Sequence, residues 1–241
     1  MNILILGYGK MGKIISQVAE ERGHQIVAKI NIENVADLDQ LDTNEIDVAI
    51  EFSQPGSAVG NITWCMQHDV PVVVGTTGWM DDKEGVTNLC KQRNGSLFYT
   101  SNFSIGVNIF FKVNAFLAKL MNDQEAYKPT LEEIHHTEKK DAPSGTAITL
   151  AEGLINNNQR YSKWELQNGD VQPKEGTLPI TSKRIDPAPG THIVSYKSEI
   201  DDITITHTAH NRKGFALGAV LVGEWLPGKK GVLSMNDFLD F

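Results

Sequence analysis

Two histidines, two lysines and a Ser-Gly-Thr triplet crowd into one stretch of this 241-residue chain: Glu133-Ile134-His135-His136-Thr137-Glu138-Lys139-Lys140-Asp141-Ala142-Pro143-Ser144-Gly145-Thr146-Ala147. Imidazoles exchange protons near neutral pH, and ammonium groups bind anions or give up protons. If Ser144 caps a helix, the first N–H groups of that helix point outward with the dipole behind them and suit a carboxylate. Alone, the triplet reads as a plain N-cap; the neighbouring His and Lys residues turn the reading toward an anion. Consecutive residues on a strand face opposite sides. His135 and His136 can therefore meet one ligand only if the strand stops there, and the turn-rich run 139–143 predicts that it does. Lys139 suits either an ion pair with a carboxylate or proton donation, whereas Lys140 reads as a solvated charge. Metal binding through His135, His136, Asp141 and His207 or His210 is the rival chemistry. Adjacent histidines lack the i, i+4 spacing of a helical zinc pair and no cysteine joins them, so no metal is expected.

A second chemical signal opens the chain. Gly7-Tyr8-Gly9-Lys10-Met11-Gly12 matches G-x-G-x-x-G, follows a predicted strand over 2–6 and opens a predicted helix over 10–22. In that context the glycines permit a tight turn and let backbone N–H groups approach a pyrophosphate. The acidic ribose ligand expected about 20 residues on is absent, and Asn31 occupies its place. An amide donates as well as accepts, so it tolerates a 2′-phosphate better than a carboxylate does, with Lys10 available as counter-charge. NADH and NADPH are both expected. Gly75-Thr76-Thr77-Gly78 and Thr100-Ser101-Asn102-Phe103 follow two further predicted strands at the edge where open α/β sheets bind ligands.

These residues need elements to carry them. Strands over 2–6, 25–30, 46–52, 71–74 and 97–100, with helices over 10–22, 56–68 and 82–93, imply βαβ units and a parallel sheet. Beyond about residue 104 the pattern changes. A helix over 107–120, a strand over 130–136 and a helix over 147–156 lead into a polar run, 157–176, without clear regular structure. Strands over 179–185, 192–197 and 203–208 follow, the last two flanking a hairpin-length loop, and a helix over 214–226 precedes a tail that returns to the first domain. The expected fold is an α/β Rossmann nucleotide-binding domain, residues 1–103 completed by 214–241. An α+β substrate and oligomerisation domain with a mainly antiparallel sheet spans 104–213.

The composition is that of an ordinary globular protein, 40% hydrophobic and 22% charged, with a net charge of −8 that argues against nucleic acid as main partner. No apolar run nears the roughly 20 residues that span a bilayer, so no membrane is expected. Met1 leads straight into a strand-like run and not into a signal-peptide pattern. Cys65 and Cys90 show no metal or redox spacing. A cytoplasmic location is expected.

With these motifs in place, the chain closely resembles the 4-hydroxy-tetrahydrodipicolinate reductase (dihydrodipicolinate reductase) family of the diaminopimelate route to lysine. The resemblance rests on 7–12, 75–77, Ser101-Asn102-Phe103-Ser104-Ile105-Gly106-Val107-Asn108, the 133–147 signature and Phe215-Ala216-Leu217-Gly218-Ala219. The central signature is specific to that family; the glycine loop is not. The resemblance implies a homotetramer, a small dicarboxylate substrate, and hydride transfer from NADH or NADPH to C4 of the bound ring with loss of water. It implies that His135 is a proton donor or acceptor and Lys139 the proton donor. His136 would be a substrate contact, Gly145 and Thr146 the carboxylate loop, and 100–103 the second cofactor loop. The chain departs from many members at Asn31 and Ile32, where they carry an acid often followed by arginine, and it is shorter between the second and third strands. The rival readings are another Rossmann dehydrogenase acting on a small amino or keto acid, or a non-catalytic NAD(P)H sensor.

Overall fold

A computed structural model describes residues 1–167 and 174–241. In chain order its elements are β1 Asn2–Leu6, α1 Lys10–Glu21, β2 Gln25–Ile30, β3 Val48–Glu51, α2 Pro55–Gln67, β4 Val72–Val74, α3 Lys83–Gln92, β5 Ser96–Tyr99, α4 Ile105–Leu120, β6 Lys128–His135, α5 Gly145–Ile155, β7 Lys163–Leu166, β8 Thr177–Arg184, β9 Gly190–Lys197, β10 Asp202–Ala209, α6 Lys213–Trp225, β11 Gly231–Leu233 and α7 Met235–Leu239. The chain forms two compact units, Met1–Ile105 with Lys213–Phe241, and Gly106–Arg212.

The first unit holds a six-stranded sheet in the order β11-β5-β4-β3-β1-β2, with every pairing parallel. Parallel strands are covered on both faces, which explains why β1 and β3 read as continuous apolar runs. Side chains alternate across the sheet. Ile3 and Ile5 pack with Ile15, Val18 and Val220 of α1 and α6. Leu4 and Leu6 pack with Ile62, Cys65, Val86 and Cys90 of α2 and α3. Both cysteines are free and buried. Filling one such site with a Leu or Ile side chain stabilises the fold by about 1.5–3 kcal/mol. Strand order reverses at β1, with β2 on one side and β3 on the other. The carboxyl ends at that switch point are where an open α/β sheet leaves a ligand crevice.

The second unit holds a five-stranded sheet in the order β10-β9-β6-β8-β7. Here the expectation of a mainly antiparallel sheet needs correction. The β9/β10 and β6/β9 pairs are antiparallel, but β6/β8 and β7/β8 are parallel. Helix α5 and strand β7 intervene between β6 and β8, and this long connection lets β8 run the same way as β6; side-chain periodicity carries no record of direction. The polar run 157–176 contains β7, a four-residue edge strand, while residues 168–173 of that run lie outside the described residues. The tail supplies β11, which pairs with β5 as a sixth parallel strand. α5 buries Ala147, Leu150, Ala151 and Leu154 against Leu131, Leu178, Ile180 and Val194 of the sheet.

Candidate active site

The glycine fingerprint occupies the switch point of the first unit. Gly7 turns the chain out of β1 with φ +97°, and a Cβ there would lie 2.2 Å from the Phe52 carbonyl oxygen, so only glycine fits. A Cβ on Gly12 would lie 2.1 Å from the Gly7 carbonyl oxygen, which packs α1 tightly on this turn. Gly9 faces open space and precedes α1 without any side-chain cap, leaving the N-terminal amides of that helix for a ligand. A cavity of 380 Å³ lies beside it, lined by Gly7, Tyr8, Gly9, Asn31, Glu33 and Ser53 among others. Gly9, Lys10, Met11, Gly75, Thr76 and Thr77 line a neighbouring one of 340 Å³. An open glycine turn, a helix N-terminus and adjoining cavities fit the diphosphate and nucleosides of a dinucleotide.

Asn31 caps the end of β2 as an Asx turn. Its Oδ1 accepts from Glu33 N at 2.7 Å, so its amide NH₂ is the group left for a ribose hydroxyl or phosphate. Lys29 and Lys13 lie 5.1 and 6.0 Å from the Tyr8 ring, placing positive charge beside the same cavity. Beneath it the wholly buried Glu51 ends β3. It accepts from Ser53 N–H, Ser53 O–H and Asn61 Nδ2, fixing the loop that separates the two cavities.

The second unit assembles a different chemistry on one face of its sheet. Residues 129, 131, 133 and 135 of β6 are the buried ones, and along this face apolar Leu131 gives way to Glu133 and His135. Register brings partners from both neighbours: Glu133 pairs with His192 on β9, and Glu133 and His135 pair with Ser182 and Arg184 on β8. Glu133 is fully buried. Its oxygens accept from Ser144 N at 3.1 Å, Ser182 Oγ at 2.8 Å and Arg184 Nη2 at 3.3 Å, and lie 3.3 Å from His135 Nδ1. Burial favours the neutral acid, but the close His135 imidazole and the hydrogen bonds from Ser144 and Ser182 outweigh it and hold the carboxyl well below the usual range. His192 responds oppositely. Burial first, then the neighbouring His135, lowers it to about 4 against the pull of Glu133, so it is neutral at physiological pH.

β6 ends at His135, and the following turn is closed by Lys139 N donating to His136 O at 3.2 Å. The strand therefore breaks where the paired histidines require it: His135 is buried and His136 half-buried. Arg184 straps the turn down by donating to the carbonyls of Lys139 and Asp141, at 3.3 and 2.6 Å. Lys139 Nζ sits 2.9 Å from both Asp141 oxygens, an ion pair that also lowers Asp141. Ser144 caps α5 by accepting from Ala147 N at 3.2 Å. Among the described residues the N–H groups of Gly145 and Thr146 have no acceptor, and the space beside Gly145 is open.

Two family models now bear on this arrangement. Residues 1–103 match the N-terminal model of dihydrodipicolinate reductase and residues 106–239 its C-terminal model. The chain belongs to the dihydrodipicolinate reductase family. It is 48% identical to the 4-hydroxy-tetrahydrodipicolinate reductase of Christiangramia forsetii, covering 99% of this chain and 98% of that one. It is 31% identical to the Methanosarcina barkeri reductase, covering 99% of each. A dipicolinate-bound dihydrodipicolinate reductase from Paenisporosarcina sp. TG-14 shares the fold at TM-score 0.81 and 22% identity, covering 99% of each chain.

The residues that the family resemblance singles out fall into two groups, one in each unit. Gly7 to Gly12, Asn31 and Gly75 to Thr77 share the strand-end edge of the first unit. Thr100, Ser101 and Asn102 follow β5 on that edge, and Thr100 Oγ1 accepts from Asn102 N. Phe103, however, turns its ring into the core against Phe52 and Phe98, at 5.4 and 5.9 Å. Its side chain supports the loop and is only 2% exposed. His135, His136, Lys139, Gly145 and Thr146 cluster where β6 hands over to α5. Sequence reasoning missed Glu51, Arg184 and His192 and left Glu133 without a role. A lone carboxylate closing the apolar run Val48-Ala49-Ile50 was a signal for Glu51. Strand register, invisible in the sequence, was needed for His192 and Arg184.

Proposed function

We propose that the chain catalyses NAD(P)H-dependent reduction of 4-hydroxy-tetrahydrodipicolinate to tetrahydrodipicolinate, in lysine and diaminopimelate biosynthesis. The observation that carries this is the full-length 48% identity to a reductase of that name, with both family models matched. The reaction takes up one hydride and one proton and releases the ring hydroxyl as water. A bound nicotinamide supplies the hydride. The residues of 7–12, with Asn31, 75–77 and the loop 100–103, would hold its dinucleotide.

Lys139 donates the proton that accompanies the departing hydroxyl, and His135 exchanges a proton with the ring. One ring carboxylate is held by the open N–H groups of Gly145 and Thr146, whose dipole and geometry suit an anion. His136 contacts the ring from the turn. Anchoring a ring by its carboxylate beside fixed proton carriers is an orientation effect worth several kcal/mol. The dipicolinate bound by the Paenisporosarcina protein, a small ring dicarboxylate, supports this substrate class.

The protein works as a cytoplasmic homotetramer. Ile109, Val113, Phe116 and Leu120 form an exposed apolar stripe along one side of α4, the spacing of a helix face that awaits a partner. No helix among the described residues is long and apolar enough to cross a membrane. The direct test supplies the condensation product of pyruvate and aspartate semialdehyde and follows NADH and NADPH oxidation separately. One cofactor oxidised per substrate consumed supports the reading; cofactor binding without oxidation refutes it.

A further inference from the structure

We infer that Glu133 is a positioning residue that fixes the proton of His135 on Nδ1 and, through Ser144, ties that imidazole to the start of α5. The inference rests on the proposed roles of His135 and of the Gly145–Thr146 amides, and goes beyond them in naming what sets both. Glu133 and His135 stand two residues apart on one buried face of β6. His135 Nδ1 lies 3.3 Å from Glu133 Oε2, within ion-pair reach though off the line of an ideal hydrogen bond. A bare nitrogen lone pair facing a buried, ionised carboxylate would be repelled, so the proton belongs on Nδ1 and the lone pair on Nε2. The Nε2 edge passes over Gly190, where an added Cβ would come within 3.1 Å. The same carboxylate accepts from Ser144 N through both oxygens, at 3.1 Å each. Acid–base group and anion turn thus share one fixed point.

A metal ion is the competing use of this cluster. Ligand atoms of Glu133, His135 and His192 lie within 4.8 Å of one another. Ser144, Ser182 and Arg184 already crowd Oε1 of the carboxylate, and Oε2 is shared by the same Ser144 N–H and the nearby His135. The Arg184 guanidinium at 3.3 Å also supplies the balancing charge that a cation would bring. The geometry therefore favours a proton-positioning hub over a metal centre.

The test has two parts. Solid-state NMR of the full chain with ¹⁵N-labelled histidine, at about pH 8 where an ordinary imidazole is neutral, reads the tautomer directly, with His135 assigned by its loss in His135→Ala. A proton on Nδ1 is expected; one on Nε2 overturns the inference with Glu133 itself left intact. In Glu133→Gln the amide oxygen can still accept from Ser144 N–H, while its NH₂ faces His135 and forces the other tautomer. kcat is expected to fall about 100-fold, the lower end of what general acid–base catalysis contributes, with substrate KM held within about 3-fold. A kcat within about 3-fold of wild type, or an equal loss in KM, rejects the positioning role. If His135→Ala keeps full turnover, the proposed role of His135 is what fails. If His135→Ala loses turnover and Glu133→Gln does not, this inference alone fails.

Discussion

His192 gives the second unit a pH-dependent stability that can be worked from its surroundings. The ring is 5% exposed, contacts Ser144 Oγ through Nε2 at 3.2 Å, and lies edge-on to His135 at 5.2 Å between centroids. Burial, His135, His207 and Lys139 disfavour its cation, and only Glu133, 3.8 Å away, favours it. Its pKa is 6.5 unfolded and about 4 folded, so between these values the unfolded chain binds the extra proton. Stability is therefore whole above pH 6.5 and is lost as the pH falls toward 4. The full loss corresponds to about 3 kcal/mol, of which about 2 kcal/mol appears between pH 7 and pH 5. Glu133 stays ionised in the folded protein throughout that window, and its titration in the unfolded chain is common to wild type and variant, so it drops out of their difference. His192→Gln, whose amide can still reach Ser144, removes the titrating group. Urea unfolding of both proteins at fixed concentration, at pH 7 and pH 5, should show wild type losing about 2 kcal/mol more than the variant. Equal losses would mean that His192 is protonated in the folded protein and that the burial argument is wrong.

Two further expectations follow from single groups. Asn31→Asp puts a carboxylate where the proposed function has the Asn31 amide meet the ribose, so NADPH should bind about 10-fold or more weaker, some 1.4 kcal/mol, while NADH changes little. Cofactor fluorescence titration decides this, and equal changes for both would remove Asn31 from the 2′-position. Ser144→Ala removes the cap of α5 and the partner of His192, and should cost about 1 kcal/mol in stability together with a raised substrate KM. Unchanged thermal stability and KM would show the cap to be incidental.

The first unit was legible because parallel strands buried on both faces write themselves as short apolar runs between helical patterns, as in Asn2–Leu6 and Val48–Glu51. The glycine loop was legible because its context, strand before and helix after, is local. The end of β6 was legible too, since two adjacent histidines followed by a turn-rich run leave little room for a continuing ladder. What failed to show was non-local. The parallel pairing of β8 with β6, and with it the approach of Ser182 and Arg184 to Glu133, depends on a crossover that no residue pattern encodes. β7 hid in a polar run because an edge strand of four residues, Lys163-Trp164-Glu165-Leu166, carries only two apolar side chains. The packing of the Phe103 ring against Phe52 and Phe98 is likewise a tertiary fact that a loop sequence does not carry.

In the proposed reaction the handover from β6 to α5 carries the proton chemistry. The most direct measurement is kcat for reduction of the pyruvate–aspartate semialdehyde condensation product by Lys139→Ala and His135→Ala, with folding checked by circular dichroism. Lys139→Ala should lose most of its turnover, by about 100-fold or more, and His135→Ala somewhat less, the range expected for general acid–base groups. Near-wild-type kcat in both folded variants would move the proton chemistry to other residues.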